Sequence, residues 1–154
     1  MNYWLFKSEP DAFSIDQLAS MPGKRDHWDG IRNYQARNLM RDQMKKGDLG
    51  FFYHSSCKVP GVVGIVEIVR ESYPDHTAHD PASKYYDAKS SDENPRWCMV
   101  DVKLKRKFKE VVSLQSLKTI KGLEDMVLLQ KGSRLSVQPV GKKHWDIIVK
   151  LVGK

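Results

Sequence analysis

The spacing of apolar residues predicts five strands. An aromatic-rich strand is predicted over residues 3–7, ended by Pro10. The stretches 49–54 and 62–69 predict a hairpin, with Leu49, Phe51 and Tyr53 on one face and Phe52 and His54 on the other. Residues 97–105 and residues 135–138 alternate between inward-facing and outward-facing positions, as strands do. In these two strands the predicted inward residues are Cys98, Val100, Val102, Leu104, Leu135 and Val137, and the outward ones are Met99, Asp101, Lys103, Lys105, Ser136 and Gln138.

Four helices are predicted from their start signals and their apolar spacing. Ser14 and Gln17 form a capping box, flanked by a hydrophobic staple. Asn33 is a predicted N-cap for a longer helix that ends by Gly47 and buries Ala36, Leu39, Met40 and Met44. Ser113 begins a short helix, and the helical spacing of Trp145, Ile148, Val149 and Val152 predicts a C-terminal helix that closes the core.

The stretch WDGIRNYQARN, residues 28–38, combines an indole, a Gly turn and a helix N-terminus. At the mouth of the fold, Trp28 would provide a stacking surface for a nucleotide, with Arg32 and the helix end as anchors for a phosphate. The alternative is a core tryptophan with polar residues that only cap the helix, because Trp is usually largely buried. Sequence physics leaves both interpretations open.

Residues 72–95 are rich in Pro, Asp, Ser and Lys and show no periodicity. So long an excursion is typical of a functional loop or a partly ordered flap. His76 and His79 lie within it, but a loop offers no fixed helical face and no third ligand has a suitable spacing. No metal site is therefore predicted.

The length of 154 residues predicts one domain, and the two cysteines are expected to be reduced thiols. The net charge of +7 favours polyanionic partners. A basic run, KLKRKFKE, contains Lys105 and Lys107 and is either a solvated, protected strand edge or a ridge that contacts phosphates. No apolar run approaches the roughly 20 residues that cross a membrane, so no membrane partner is expected.

Catalytic motifs are missing from the sequence. It contains no nucleophile elbow, no His-Glu-x-x-His, no Cys-x-x-Cys and no Gly-rich cofactor loop. His54 lies beside Ser55 and near Cys57, but without the base and orienting group that activate a nucleophile. We therefore predict recognition without turnover and no cofactor.

Five motifs, in this order, resemble the EVE domain family of the thymocyte nuclear protein type, within the PUA-like superfamily. They are WLFKSEP, WDGIRNYQARN, FYHSSCKVPGVVG, NPRWCMVDV and GSRLSVQPV, and the resemblance covers nearly the whole chain. It implies a single domain over residues 1–154, of class α+β: a small mixed β-barrel of five to six strands flanked by helices. It also implies a non-enzymatic module that reads a modified base, either a modified cytosine or methylated adenine, in DNA or RNA.

The resemblance places a base pocket at residues from several motifs. It implies that Lys7 and Ser8 form the polar start of the pocket, with Trp28 as the cage aromatic. Tyr53 and His54 would end a strand on the pocket side, and the closing rim would be Ser133, Arg134 and Ser136. Phosphate contacts are expected from Arg32, Asn33, Arg37, Lys105 and Lys107, weakening with added salt.

Two other functions stay open beside the reader of a modified base. The same pocket could serve a small ligand or a peptide, in which case binding would be insensitive to salt. An enzyme acting on nucleobases would need a base or a metal that the sequence does not supply. The chain lacks the basic N-terminal tail of nuclear members, so a cytoplasmic, monomeric, bacterial-type protein is expected, or a nuclear one if the source is eukaryotic.

Overall fold

The computed structural model describes residues 1–90, 95–131 and 135–153. Its strands are β1 (Tyr3–Ser8), β2 (Arg25–Trp28), β3 (Leu49–His54), β4 (Gly61–Pro74), β5 (Cys98–Ser113) and β6 (Val137–Val140). Its helices are α1 (Ile15–Ser20), α2 (Tyr34–Asp42), α3 (Leu114–Leu117) and α4 (Lys142–Val152), with short 3-10 turns at Pro22–Lys24, His76–His79 and Val127–Leu129. No helix in these ranges is long and apolar enough to cross a membrane.

The six strands form one mixed sheet in the order β2-β5-β4-β3-β1-β6, with β1 parallel to β3 and the other pairs antiparallel. In a flat sheet β2 and β1 would lie about 19 Å apart, at about 4.8 Å per strand. Yet the rings of Trp28 in β2 and Phe6 in β1 are 5.1 Å apart. The sheet therefore curls round until its ends face each other, which confirms the α+β, barrel-like prediction.

The curled sheet buries side chains on both faces. The inner cluster includes Trp4, Phe6, Trp28 and Phe52, while Phe51 and Tyr53 pack on the opposite face against α4 and the segment before β6. The predicted two faces of β3 are thus confirmed. Because both faces are covered, an apolar strand such as β3 is buried along most of its length.

Two residues predicted to face solvent are buried instead. Met99 in β5 is opposite Tyr73 of β4, and Gln138 in β6 donates from Nε2 to the carbonyl oxygen of Leu135 at 2.8 Å. Alternation predicts exposure only where one face of a strand is open to water. At both positions the second face of the strand is also closed to water, so the prediction is wrong there.

The helix starts follow the predicted local chemistry. Ser14 accepts from the Gln17 backbone N–H at 3.1 Å, and the Gln17 side chain accepts from the Ser14 N–H at 2.6 Å, which confirms the capping box. Asn33 accepts from the Ala36 N–H at 3.0 Å at the start of α2. Ser113 caps α3 in the same way. Each cap forms within three residues, which is why the sequence alone predicts it.

Candidate functional site

A cavity of about 590 Å³ opens between the end of β1 and strand β2. Ser136, just before β6, also lines it, so the cavity lies between β2 and β6, the two strands at the ends of the sheet. Its volume lies in the range of about 300–1,000 Å³ that is usual for small-molecule sites. The lining residues are Lys7, Ser8, Glu9, Ala12, Phe13, Asp26, His27, Trp28, Asp29, Gly30, Ile31, Lys84, Tyr85 and Ser136.

Trp28 forms part of the apolar wall of this cavity. It is only 6% exposed, and its ring meets Phe6, Phe13 and Phe52 edge-on at 5.1, 6.2 and 5.4 Å. Such edge-to-face pairs fix the position of an indole ring. The two interpretations of Trp28 from the sequence are therefore not exclusive, because it is a core residue that also borders the cavity.

The β1 side of the cavity is lined by Lys7 and Ser8. Lys7 is half-buried, and this burial lowers the pKa of its ammonium group, whose Nζ lies 5.9 Å from the centroid of the Tyr53 ring. The Ser8 hydroxyl donates to the carbonyl oxygen of Phe13 at 2.6 Å. The Lys7 backbone N–H donates to the carbonyl oxygen of Ser136 at 2.7 Å, which brings Ser136 to the same wall.

The opposite wall, from β2 and the turn after it, carries acceptor groups. Asp26 and Asp29 flank His27, whose ring nitrogens lie 3.2 Å from Asp26 Oδ1 and 3.4 Å from Asp29 Oδ2. Asp26 also accepts from the His27 backbone N–H at 2.8 Å. The cavity thus places Lys7 and Ser8 on the wall opposite two carboxylates. No cluster of three or more metal-binding side chains occurs in the described ranges.

Tyr85, from the segment between β4 and β5, closes the outer wall. Its ring lies directly on Gly30, where a Cβ atom would come within 2.6 Å of Tyr85 Cζ. Gly30 also has a φ of 76°, a backbone conformation that only glycine adopts without strain. The glycine of the WDG turn is therefore required both by the turn and by the approach of Tyr85.

Asp75 fixes that segment to the turn at Gly30. It is fully buried, and its Oδ2 accepts from Gly30 N at 2.9 Å and from Arg32 Nη1 at 3.0 Å. Its Oδ1 accepts from the Thr77 N–H and hydroxyl at 2.8 and 2.6 Å. Burial opposes ionisation of Asp75, but the hydrogen bonds from Thr77, Gly30 and Arg32 outweigh it and hold its pKa below the ordinary value.

Comparison with known proteins identifies the family. The sequence profile of the EVE domain matches residues 2–151. The chain belongs to the EVE domain family. Mouse thymocyte nuclear protein 1 is 44% identical over 167 aligned residues, which cover 97% of this chain and 73% of that protein.

Solved structures share this EVE fold closely. A crystal structure of a Pseudomonas syringae protein is 51% identical, with a TM-score of 0.93, and covers 98% of this chain and 99% of its own. Human THYN1 protein, crystallised in complex with 5-methylcytosine-containing DNA, is 40% identical with a TM-score of 0.93, covering 100% of this chain and 99% of its own. The PUA-like, mixed-sheet fold expected from the motifs agrees with these likenesses.

Within this EVE domain, four of the predicted base-pocket residues line one cavity: Lys7, Ser8, Trp28 and Ser136. Tyr53 and His54 do not. Tyr53 is buried on the other face of the sheet, and His54 Nε2 accepts from the Ile15 backbone N–H at 3.1 Å at the start of α1. Burial lowers the pKa of His54, which favours the neutral ring that can accept this bond. Ser133 and Arg134 lie outside the described residues.

The predicted phosphate contacts divide into two groups. Asp75 and the Tyr85 carbonyl oxygen engage the Arg32 guanidinium, and the Asn33 side chain caps α2 as predicted, so both residues have structural roles and phosphate binding by either stays a prediction. The phosphate contact of Arg32 was predicted from its neighbours in the sequence, whereas Asp75 and Tyr85, which bind its guanidinium, lie more than 40 residues away. Arg37 lies at the surface of α2, and Lys105 and Lys107 project from β5, where Lys107 pairs with Asp16.

Sequence reasoning missed several lining residues: Phe13, Asp26, Asp29, Lys84 and Tyr85. Two of these residues, Phe13 and Tyr85, lie in sequence patterns that could have indicated a place beside a pocket. Phe13 belongs to the hydrophobic staple predicted beside Ser14, and an aromatic residue soon after the end of β1 can also face a pocket. Tyr85 and Tyr86 form an aromatic pair inside an otherwise polar segment, which is a pattern that favours an anchored loop over a mobile one.

Proposed function

We propose that this EVE domain binds a modified base, a 5-methylcytosine-type base of DNA, in the cavity between β1 and β2, and does not transform it chemically. The observation that carries the proposal is the arrangement of that cavity. It offers a rigid aromatic wall at Trp28, the polar residues Lys7 and Ser8 at the end of β1, and carboxylate acceptors at Asp26 and Asp29.

Cytosine fits this arrangement of polar groups. Its N4 amino group is a donor that carboxylates accept, while its ring nitrogen and carbonyl oxygen are acceptors for an ammonium or hydroxyl group. Thymine would turn an acceptor, its O4, toward the carboxylates. The likeness to human THYN1 protein, crystallised with 5-methylcytosine-containing DNA, supports the same ligand class.

Binding without turnover is favoured by the environment of the candidate nucleophiles. The Ser8 hydroxyl is engaged with the Phe13 carbonyl oxygen, and Cys57 is not among the lining residues. His27 has carboxylates on both ring nitrogens, so no described nucleophile shares a hydrogen bond with it. Mass spectrometry of a 5-methylcytosine oligonucleotide after prolonged incubation should therefore show an unchanged mass.

The test is fluorescence anisotropy with matched oligonucleotides that differ only at one base. DNA with cytosine, 5-methylcytosine or methylated adenine is compared with the corresponding RNA at two salt concentrations. One methyl group contributes about 0.8 kcal/mol by buried area, which corresponds to about a fourfold preference. We expect 5-methylcytosine DNA to bind best, and the preference to persist when salt weakens overall affinity.

Tyr85→Ala tests the pocket, and Tyr86→Ala is its matched control. Tyr85 lines the cavity, whereas the neighbouring Tyr86 is 46% exposed and is not among the lining residues. The backbone carbonyl of residue 85, which accepts from Arg32, remains in both variants. We expect only Tyr85→Ala to reduce the methyl preference. Equal binding of all bases by the wild type, or an unaltered preference in Tyr85→Ala, would contradict the proposal.

A cytoplasmic location and a monomeric state stay predictions.

A further inference from the structure

Tyr34, the first residue of α2, is an exposed aromatic outside the cavity. It is 50% exposed, and one face of its ring stacks on the buried Trp97 at a centroid distance of 4.8 Å and an angle of 26°. The other face of this ring is the feature of interest.

Arg37 lies beside the stacked pair and not on its outer face. Its guanidinium carbon is 4.7 Å from the Tyr34 centroid and 6.0 Å from the Trp97 centroid. If Arg37 covered the outer face of Tyr34, its distance from Trp97 would approach the sum of 4.7 and 4.8 Å. The guanidinium therefore does not lie opposite Trp97 across the Tyr34 ring, and half of the Tyr34 side chain stays exposed.

A second guanidinium lies at the hydroxyl end of the same ring. Arg96 Nη1 donates to the Tyr34 hydroxyl at 3.3 Å, and Arg37 Nη1 donates to the carbonyl oxygen of Arg96 at 3.0 Å. An open aromatic face bordered by guanidinium groups is the combination that binds a nucleotide, because the base stacks and the phosphate pairs with arginine. We call Tyr34, Arg37 and Arg96 the Tyr34 platform.

The Tyr34 platform is connected to the cavity through Arg32. The Arg32 guanidinium carbon lies 5.5 Å from the Tyr85 ring and 5.4 Å from the Trp97 ring, and Trp97 stacks on Tyr34 at 4.8 Å. These three contacts limit the separation of the Tyr85 and Tyr34 rings to about 16 Å, a span of about five stacked nucleotides at 3.4 Å each. One short strand can therefore reach both places.

We propose that the Tyr34 platform is a second nucleotide site, which binds an unstacked base and adjacent phosphate of the same DNA strand whose modified base enters the cavity. The inference rests on the proposed function for the identity of the strand. The platform supplies affinity that is independent of sequence and methylation, because every base has an aromatic face and every nucleotide a phosphate.

The experiment compares a mononucleotide with an oligonucleotide. The probes are 5-methyl-deoxycytidine monophosphate and nine-nucleotide single-stranded DNA with a central 5-methylcytosine or cytosine. We expect Tyr34→Ala to weaken both oligonucleotides by about tenfold and to reduce mononucleotide binding from two sites to the single site in the cavity. Tyr86→Ala, at the other exposed tyrosine, should bind all three probes like the wild type.

Two further variants make the test decisive. Tyr34→Glu is included because removal of the ring uncovers Trp97, which could take over the stacking, whereas a carboxylate repels the phosphate. Arg37→Gln should reduce the dependence of log affinity on log salt by about one phosphate contact. Circular dichroism and the urea midpoint verify that each variant is folded.

The outcomes separate the two proposals. Wild-type oligonucleotide affinity in both Tyr34→Ala and Tyr34→Glu would overturn the platform. If the wild type shows no methyl preference but these variants lose affinity for both oligonucleotides, the platform stands and the modified-base function fails. If the preference is present and the variants bind normally, the cavity alone holds the strand.

Discussion

Asp75→Asn is the sharpest perturbation of the cavity wall, because one carboxylate joins the turn at Gly30 to the segment that carries Tyr85. In the wild type, the two oxygens of Asp75 receive four hydrogen bonds, from Gly30, Arg32 and Thr77. Asparagine can keep its carbonyl oxygen toward Thr77. Its amide group would then face the Gly30 N–H and the Arg32 guanidinium, so that donors oppose donors.

The expected loss of folding stability in Asp75→Asn follows from these contacts. An unsatisfied buried donor costs about 1–3 kcal/mol, and breaking a buried ion pair by removing one partner costs about 3–5 kcal/mol. Arg32 is partly accessible, with a side-chain exposure of 22%, so the lower part of this range applies. We expect a loss of about 3 kcal/mol, or a fall in melting temperature of about 10 °C for a domain of this size.

The assay is urea unfolding of the wild type and Asp75→Asn at several pH values. The pKa of Asp75 is lower in the folded protein than in the unfolded chain. The ionised carboxylate therefore contributes fully to the free energy of unfolding above the unfolded-state pKa of about 3.9, and this contribution is lost as the pH falls through the folded-state pKa. The stability difference should therefore be largest near neutral pH and shrink below about pH 4.

A matched control is Asp146→Asn, which removes an exposed carboxylate paired with Lys142 one helical turn away. Surface pairs of this kind contribute little, so its urea midpoint should stay close to that of the wild type. Equal midpoints for Asp75→Asn and the wild type at pH 7, with an unchanged dependence on urea, would refute the assigned role of Asp75.

Three other predictions follow from single positions. Gly30→Ala should reduce affinity for 5-methylcytosine DNA, measured by anisotropy, because its Cβ would displace the Tyr85 ring and its φ of 76° costs about 1–2 kcal/mol; wild-type affinity would contradict this. Ser14→Ala should lower the free energy of unfolding by about 1 kcal/mol through loss of the capping box, and a change below error in urea titrations would count against it. Burial raises the pKa of the Cys98 thiol to about 11. Iodoacetamide at pH 8 should therefore label the half-buried Cys57, but should label Cys98 only when the protein unfolds. Two labels per native chain would disprove this prediction.

The features that sequence predicted well depend on neighbouring residues. Caps at Ser14, Asn33 and Ser113 form within three residues, and the faces of β3 follow from strict alternation. Strand β2 was not predicted, because Arg25–Trp28 is short and mostly polar. Its strand conformation is fixed by pairing with β5, about 75 residues later, as in the pair of His27 with Asp101.

The parts that could not be predicted depend on distant partners. Arg32 had the sequence context of a phosphate anchor, since it lies in a polar turn before a helix. Only the fold reveals that Asp75 and the Tyr85 carbonyl oxygen hold its guanidinium group. Tyr53 and His54 show the same limit. Their strand does end at the barrel rim beside Lys7 and Ser8, but Tyr53 packs beneath the sheet and His54 turns toward α1.

The double role of Trp28 determines where base preference can change in this EVE domain. Its ring packs on Phe6, Phe13 and Phe52, and removing a buried Trp side chain costs about 3–5 kcal/mol. A domain of this size has a total stability of about 5–15 kcal/mol, so the aromatic wall cannot be altered without endangering the fold.

Asp26 and Asp29 lie at the rim, partly exposed, and their substitution removes no packed volume from the core. Exchanging a carboxylate there for an amide turns an acceptor into a mixed donor and acceptor. Substitutions of Asp26 or Asp29 should therefore change the selectivity among bases, whereas affinity for any stacked base should depend on the geometry of the aromatic wall.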